Sequence, residues 1–394
     1  MMSAGPWKPI YLEIYQSRIE EIYFPVDLSD DLSIATIDFS ITLESPPPGG
    51  HIQISIRNPG EESIILHEQS LPANQITKGS ITINNPQLWY PVSRGPQTMY
   101  TLTASLSAKG ITLDSKCQPL AIRRAKLVQR PLANEQGSTF FFEINNVPTF
   151  CAGSNWIPAD NILTRLSSED YKRWLSLLVG GGQNMVRVWG GGVYESDAFY
   201  DECDRLGILV WQDFMFACGQ YPCHPPFRES VEREARQQIK RFRSHPCLVL
   251  FSGNNEDYQI AEFAGLQWNP DETDPEKWLD TDFPARYLYE KIFPDVVHDH
   301  GAGITYHPGS PWGKGKPTTD PTVGDIHQWN GTPPQGLTKG SLARKSSTLS
   351  IIPQAGRSVC FRIRNASPSV PTNTQTLSHR SGGTISAISD HGSP

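Results

Sequence analysis

The residues best placed to do chemistry lie at the end of one short apolar run. Cys247-Leu-Val-Leu-Phe-Ser-Gly-Asn-Asn-Glu-Asp257 passes from five apolar residues, bounded by Pro246 and Gly253, straight into a polar group that ends in two carboxylates. A run of that kind reads as a strand buried on both faces. Glu256 would then stand at the strand's C-terminal mouth, where a carboxyl can give or take a proton. An isolated acid after a core strand is commonly a plain loop residue, but this one has company. Successive apolar runs finish in Asn155 and Trp156, in Arg187 and Trp189, and in Trp211 and Asp213. Ile304-Thr-Tyr-His-Pro-Gly-Ser-Pro-Trp312 and Gly324-Asp-Ile-His-Gln-Trp329 add histidine, tyrosine and tryptophan in the same sense. Chemistry gathered from many consecutive strand ends fits the rim of a (β/α)8 barrel better than a nucleotide crevice at a single switch point. Gly190-Gly-Gly192 lacks the fingerprint spacing of a phosphate loop.

The elements that must position these residues fall into two blocks. Residues 11–122 read as all-β, with Ile37, Phe39, Ile41 and Leu43 alternating with polar residues, and with Ile52, Ile54 and Ile56, and Tyr100, Leu102, Ala104 and Leu106, repeating the pattern. Several such strands separated by Pro/Gly turns predict an immunoglobulin-like β-sandwich. This block carries no cluster of ionisable residues, so it reads as a structural module. The second block, 123–330, alternates strands with helices. Ser167 and Asp170 form a capping box ahead of a helix whose apolar stripe is Tyr171, Trp174, Leu175 and Leu178, and the glycines at 180–182 stop it. The spacing predicts strands over 183–189, 208–213 and 247–251, with helices over 196–206 and 228–244 between them. Repeated βα units mean a parallel sheet.

Composition excludes some functions. The chain has 394 residues and a formal net charge of -7, which favours neither nucleic acid nor an anionic membrane as partner. The N-terminus has neither a basic nor an apolar leader region, and no run of eighteen apolar residues occurs, which places the chain in the cytoplasm. Seven scattered cysteines lack zinc-site spacing, so neither a metal nor another cofactor is expected. Ten tryptophans and thirteen tyrosines suit stacking on sugar rings.

Four stretches, taken in order, resemble the β-mannosidases of glycoside hydrolase family two, close to the intracellular type. They are Phe150-Cys-Ala-Gly-Ser-Asn-Trp-Ile-Pro-Ala-Asp160, Asn184-Met-Val-Arg-Val-Trp-Gly-Gly-Gly192, Gly207-Ile-Leu-Val-Trp-Gln-Asp-Phe-Met-Phe-Ala-Cys218 and Gly253-Asn-Asn-Glu-Asp-Tyr258. The likeness runs from residue 5 to residue 330. It implies retaining hydrolysis of terminal, non-reducing β-D-mannose residues from β-mannoside oligosaccharides by two carboxyl groups about 5 to 5.5 Å apart. Glu256 matches the acid/base, whose pKa the resemblance expects to be raised by a partly buried site beside the second carboxylate. Asn255 would bond the sugar 2-hydroxyl, Arg187 would orient the nucleophile, and Trp189 and Trp312 would wall the sugar subsite. Asp160, Asp213, His327 and Trp329 match residues that support those contacts from behind.

The resemblance breaks at both ends. Residues 1–10 look like a remnant linker where the family has a preceding sugar-binding sandwich, and about six barrel strands remain. The family's nucleophile lies in a Ser-Glu-Phe-Gly-Met motif that this sequence lacks. Residues 331–394 hold 19 Ser or Thr, one Phe, and seven basic residues against one acidic. That composition predicts disorder. Ala355 to Ala366, back-translated and read one nucleotide on, can give the family's nucleophile strand, which marks the tail as out of frame. Two further readings stay open, a non-catalytic remnant that at most binds sugar and a related β-glucuronidase or β-galactosidase. Oligomeric state is not legible.

Overall fold

The computed structural model describes residues 8–58, 60, 64–71, 75–328, 348–350 and 360–362. Alternation at period two produces the first block. Strands β1 (Arg18–Tyr23), β2 (Val26–Leu28), β3 (Ile34–Glu44), β4 (Gly50–Arg57), β5 (Ile64–Ser70), β6 (Ile76–Asn84), β7 (Tyr100–Ala108) and β8 (Ile111–Leu120) form two antiparallel sheets. One is ordered β1-β3-β2 with β6 also on β3; the other is β5-β4-β7-β8. Ile37, Phe39, Ile41 and Leu43 meet Ile52, Ile54, Ile56, Leu102 and Leu106 in one shared core, as the pattern requires.

A three-stranded antiparallel sheet follows, made of β9 (Ala125–Val128), β10 (Phe141–Ile144) and β11 (Val147–Thr149). Then comes a parallel sheet in sequential order, β12 (Gly153–Trp156), β13 (Met185–Val188), β14 (Leu209–Asp213), β15 (Leu248–Ser252) and β16 (Thr305–His307). The connections carry α1 (Ser168–Gly180), α2 (Asp197–Leu206), α3 (Pro225–Phe242), α4 (Asp257–Phe263), α5 (Pro275–Trp278) and α6 (Phe293–His300). No described helix is long and apolar enough to cross a membrane. The middle strands are buried on both faces. Val186, Val210, Leu248 and Phe251 pack with Leu175, Phe199, Cys203, Ile239 and Phe242 of the helices. Met185, Leu209, Trp211, Val249 and Leu250 pack instead with Phe140, Phe142 and Trp89. Residues on that second side, followed to the strands' C-terminal ends, become the polar group described below.

Three local expectations change. Ser167 and Asp170 do form the capping box, but Trp174 is exposed while Tyr171 and Leu175 carry the buried stripe. The third helix starts three residues early, because Pro225 and Pro226 suit the first turn and His224 caps it. The parallel sheet holds five strands among the described residues, not six. The next strand, β17 (His327–Gln328), pairs antiparallel with β19 (Cys360–Arg362), which also pairs with β18 (Thr348–Ser350). Trp329 and the rest of 331–394 lie outside the described residues, and so does the expectation of disorder there.

Polar contacts gather where the two blocks meet. Arg123 donates from Nε to the Pro246 carbonyl at 2.7 Å and from Nη2 to the Leu248 carbonyl at 2.6 Å. Trp89 Nε1 donates to the Asp204 carbonyl at 2.9 Å, and Glu21 pairs with both Lys240 and Arg243. Gly207 ends α2 at φ +75°, a left-handed conformation that glycine adopts without strain, and its carbonyl accepts from Val92 N. Asp204 is the hub of this seam. Its carboxylate takes His245 Nδ1 at 2.6 Å and Cys247 N at 2.9 Å. Asp204, His245 and Cys247 have ligand atoms close enough to hold a metal ion, yet the cluster is already closed by these bonds, with the Arg123 charge beside it.

Burial alone would lower the His245 pKa, but the charge and hydrogen bond of Asp204, with Asp201 and Asp197 beyond, hold it above the ordinary histidine value. Its contribution is therefore complete below the unfolded value of about 6.5 and is lost as pH rises through the folded one. The gap in urea midpoint between the wild type and His245→Asn should shrink steadily from about pH 6 to pH 9. A gap independent of pH would show that the pair carries no charge.

Candidate active site

The site begins with a charge that cannot reach water. Arg187, one residue before the end of β13, is 4% exposed, and Asp213, the last residue of β14, is fully buried. They meet side-on, Arg187 Nε to Asp213 Oδ1 at 3.1 Å and Nη2 to Oδ2 at 2.7 Å, the two-pronged geometry that guanidinium and carboxylate favour. Asp213 accepts further from Gly190 N at 3.0 Å and Trp211 Nε1 at 2.9 Å. Burial nonetheless raises its pKa against the pull of Arg187.

Arg187 Nη2 also donates to Asn255 Oδ1 at 3.0 Å, which ties in the residues after β15. Beyond the strand ends, single parallel bridges from Ala217 to Asn255 and from Asn255 to Ser310 fix their relative heights. Asn255 Nδ2 donates to Cys218 Sγ at 3.2 Å, and the Cys218 thiol donates to Glu256 Oε2 at 3.5 Å. Burial pushes this thiol up to about 11, so it is neutral at physiological pH. Cys218 and Glu256 both have left-handed backbones, φ 52° and 66°. For non-glycine residues that strain amounts to about 1–3 kcal/mol each, and it persists only where surrounding bonds enforce it. Here Cys218 N donates to the Asn255 carbonyl at 2.8 Å, Glu256 N donates to the Ser310 carbonyl at 2.9 Å, and the Glu256 carbonyl accepts from Ile260 N in α4.

The Glu256 carboxylate faces His327, Oε1 to Nδ1 at 2.7 Å. Burial pushes its pKa up, but the hydrogen bond and charge of His327, the Cys218 thiol and the Arg187 charge together bring it below the ordinary glutamate value. This corrects the expectation of a raised pKa. Among the described residues its close partners are donors and a cation, and the second carboxylate on which the raised value depended belongs to the motif that this sequence lacks. Asp257, next in the chain, goes the other way. Buried against Tyr289 and Gly219 N, it is pushed up to about 7 by desolvation.

The structure therefore brings Glu256, Asn255, Arg187, Asp213 and His327 into one hydrogen-bonded network. Trp189 stands two residues past Arg187, with its ring across Gly191, where a Cβ would come within 2.0 Å of it. Trp312 lies edge-on to His307 at 5.5 Å and borders a cavity with Tyr258, Trp268 and Arg286. Neither ring donates to the network. Asp160 is apart from it and accepts from Ile162 N at 2.7 Å in a local turn. Sequence reasoning passed over Cys218, Ser310 and Asp325. Asp325 had a signal, since it precedes His327 by two residues and so shares its side of an extended segment.

Asp213→Ala would leave a buried guanidinium without its carboxylate. Loss of one partner of such a pair costs about 3–5 kcal/mol, so the urea unfolding midpoint should fall accordingly, and Asp213→Asn should lose less. A loss under about 1 kcal/mol would mean that solvent reaches Arg187.

The chain is similar to known proteins over most of its length. Residues 17–123 match Glycosyl hydrolases family 2. The chain is 45% identical over 330 residues to β-mannosidase B of Aspergillus fumigatus, and 47% identical over 334 residues to β-mannosidase B of Thermothelomyces thermophilus. Each match takes in 84% of this chain but only 39% and 38% of those proteins, so the chain spans about two-fifths of their length. The crystal structure of the β-D-mannosidase from Dictyoglomus thermophilum superposes with a TM-score of 0.70 at 36% identity, over 80% of this chain and 37% of that one. A β-glucuronidase from Parabacteroides merdae shares the fold, with a TM-score of 0.58 at 15% identity. Residues 17–123 are thus similar to glycosyl hydrolases family 2, and 84% of the chain is similar to a part of the β-mannosidases.

Proposed function

We propose that these residues form the acid/base half of a retaining β-mannosidase, which removes terminal β-D-mannose from the non-reducing ends of β-mannosides. On this reading the sandwich is of immunoglobulin type, and the five parallel strands are consecutive members of a (β/α)8 barrel whose C-terminal rim is the site. One observation carries the reading. Asp213, Asn255, Asp325 and His327 are all buried, whereas the Glu256 side chain is 12% exposed. Glu256 is thus the carboxylate through which the network reaches solvent. Its roles are to protonate the leaving oxygen and then to take a proton from water. Arg187 and Asn255 hold its height and orient the second carboxylate and the sugar 2-hydroxyl; Trp189 and Trp312 supply apolar walls; Asp213 and His327 fix the first two and Glu256 respectively.

A retaining reaction also needs a nucleophile, because the acid alone forms no covalent intermediate. The 394 residues should release no more than trace p-nitrophenol from p-nitrophenyl β-D-mannoside. A chain extended to the length of its relatives should turn over, and Glu256→Gln in that chain should lower kcat by about 10²- to 10⁴-fold. Ordinary turnover by the 394 residues would refute the need for a second carboxylate. An extended Glu256→Gln enzyme as fast as its parent would remove Glu256 from the mechanism.

A further inference from the structure

A cavity of about 100 Å³ lies at the start of β15, the end of that strand away from Glu256, between the turn that joins β1 to β2 and the last turn of α3. Tyr23, Pro25 and Gln118 border it from the first block, and Arg123, Lys240 and Arg243 from the second. Its charge is uneven. Lys240 Nζ and Arg243 Nη2 meet the two oxygens of a single carboxylate, Glu21, at 2.8 and 2.7 Å. His245 is matched by Asp204. Among the described residues Arg123 has no carboxylate at ion-pair distance. Its Nε and Nη2 donate to the neutral carbonyls of Pro246 and Leu248, and no bond to a described residue uses Nη1. Three cations therefore stand against one bonded carboxylate, which leaves two positive charges over. Withdrawal from water lowers the Arg123 pKa to about 10, with Asp204 acting on it only through space. It stays charged at neutral pH, and a charge taken out of water without a bonded counter-charge is costly. Donor capacity is also in excess. An ammonium has three hydrogens and a guanidinium five, and Glu21 takes one from Lys240 and one from Arg243.

We propose that this cavity is a binding site for one tetrahedral oxyanion, inorganic phosphate or sulfate, held by Arg123, Lys240 and Arg243. The ion supplies the negative charge that the lining lacks, and its oxygens accept the hydrogens that Glu21 and the two carbonyls leave unused, in charge-assisted bonds. The space is well under the roughly 300–1,000 Å³ that larger organic ligands occupy, so the oxyanion enters alone and not as part of a sugar phosphate or nucleotide. It sits between residues of both blocks. Binding to the folded chain and not to the unfolded one then stabilises that arrangement by mass action.

The test needs no turnover. The 394-residue chain is melted near neutral pH in sodium phosphate raised to about 20 mM, and separately in sodium sulfate, with sodium chloride holding the ionic strength constant so that screening does not change. The wild-type Tm should rise by about 2–4 °C and level off, as binding to one site requires. In Arg123→Gln, and in Lys240→Glu, which keeps Arg123 and its carbonyl bonds, the half-point of the rise should move to about tenfold higher concentration or beyond. Lys240→Glu alone decides the matter if Arg123→Gln does not fold. A saturable rise with either ion that Lys240→Glu weakens supports the site and names its occupant. No saturable rise with either ion overturns the proposal, and so does a half-point that Lys240→Glu leaves unchanged.

Discussion

A guanidinium shut away from water is the constraint on which the site depends. Arg187 satisfies it with the Asp213 carboxylate on one neighbouring strand and the Asn255 amide beyond the next. Three successive strand ends are thereby held at fixed heights by one side chain. Such a pair is a poor device for stability alone, because well-packed apolar residues of similar volume often do as well or better. Its return is geometric. With Asn255 fixed, the chain has one residue in which to turn into α4, and that residue is Glu256, held in a left-handed backbone with its carboxylate on His327 and Cys218.

The sandwich and the helices were legible because their information is local. A two-residue period shows in Ile37, Phe39, Ile41 and Leu43 whatever they pack against, and the Ser167–Asp170 capping box closes within one turn. Glu256, Asn255, Arg187, Asp213 and His327 were legible as a group because each ends an apolar strand or sits in a resembling motif. What the sequence hid is pairing over distance. His327 meets Glu256 across 71 positions, and Asp204 meets His245 across 41. The short strands β9 to β11 escaped because three or four residues are too few to display a period. Trp174 misled because it lies on the edge of its helix stripe, where an aromatic ring remains 45% exposed.

The seam between the sandwich and the parallel sheet serves the same end from below. Arg123 bonds the carbonyls of Pro246 and Leu248 at the start of β15, and Asp204 holds Cys247 N and His245 in the turn before it. The strand that delivers Glu256 is thus anchored at its N-terminal end by Arg123 and Asp204 and at its C-terminal end by Arg187.

The low pKa of Glu256 fits this arrangement. A retaining acid/base must hold a proton while the nucleophile is anionic and release it once the nucleophile is masked as an ester. A second carboxylate about 5 to 5.5 Å away would disfavour ionisation of Glu256. With donors and Arg187 as its described neighbours, the carboxyl is favoured in its ionised form. His327 Nδ1 lies within hydrogen-bond reach of the carboxylate, and Arg187 supplies a nearby positive charge. The described residues around Glu256 favour its ionised form, and a second carboxylate nearby would favour the protonated one.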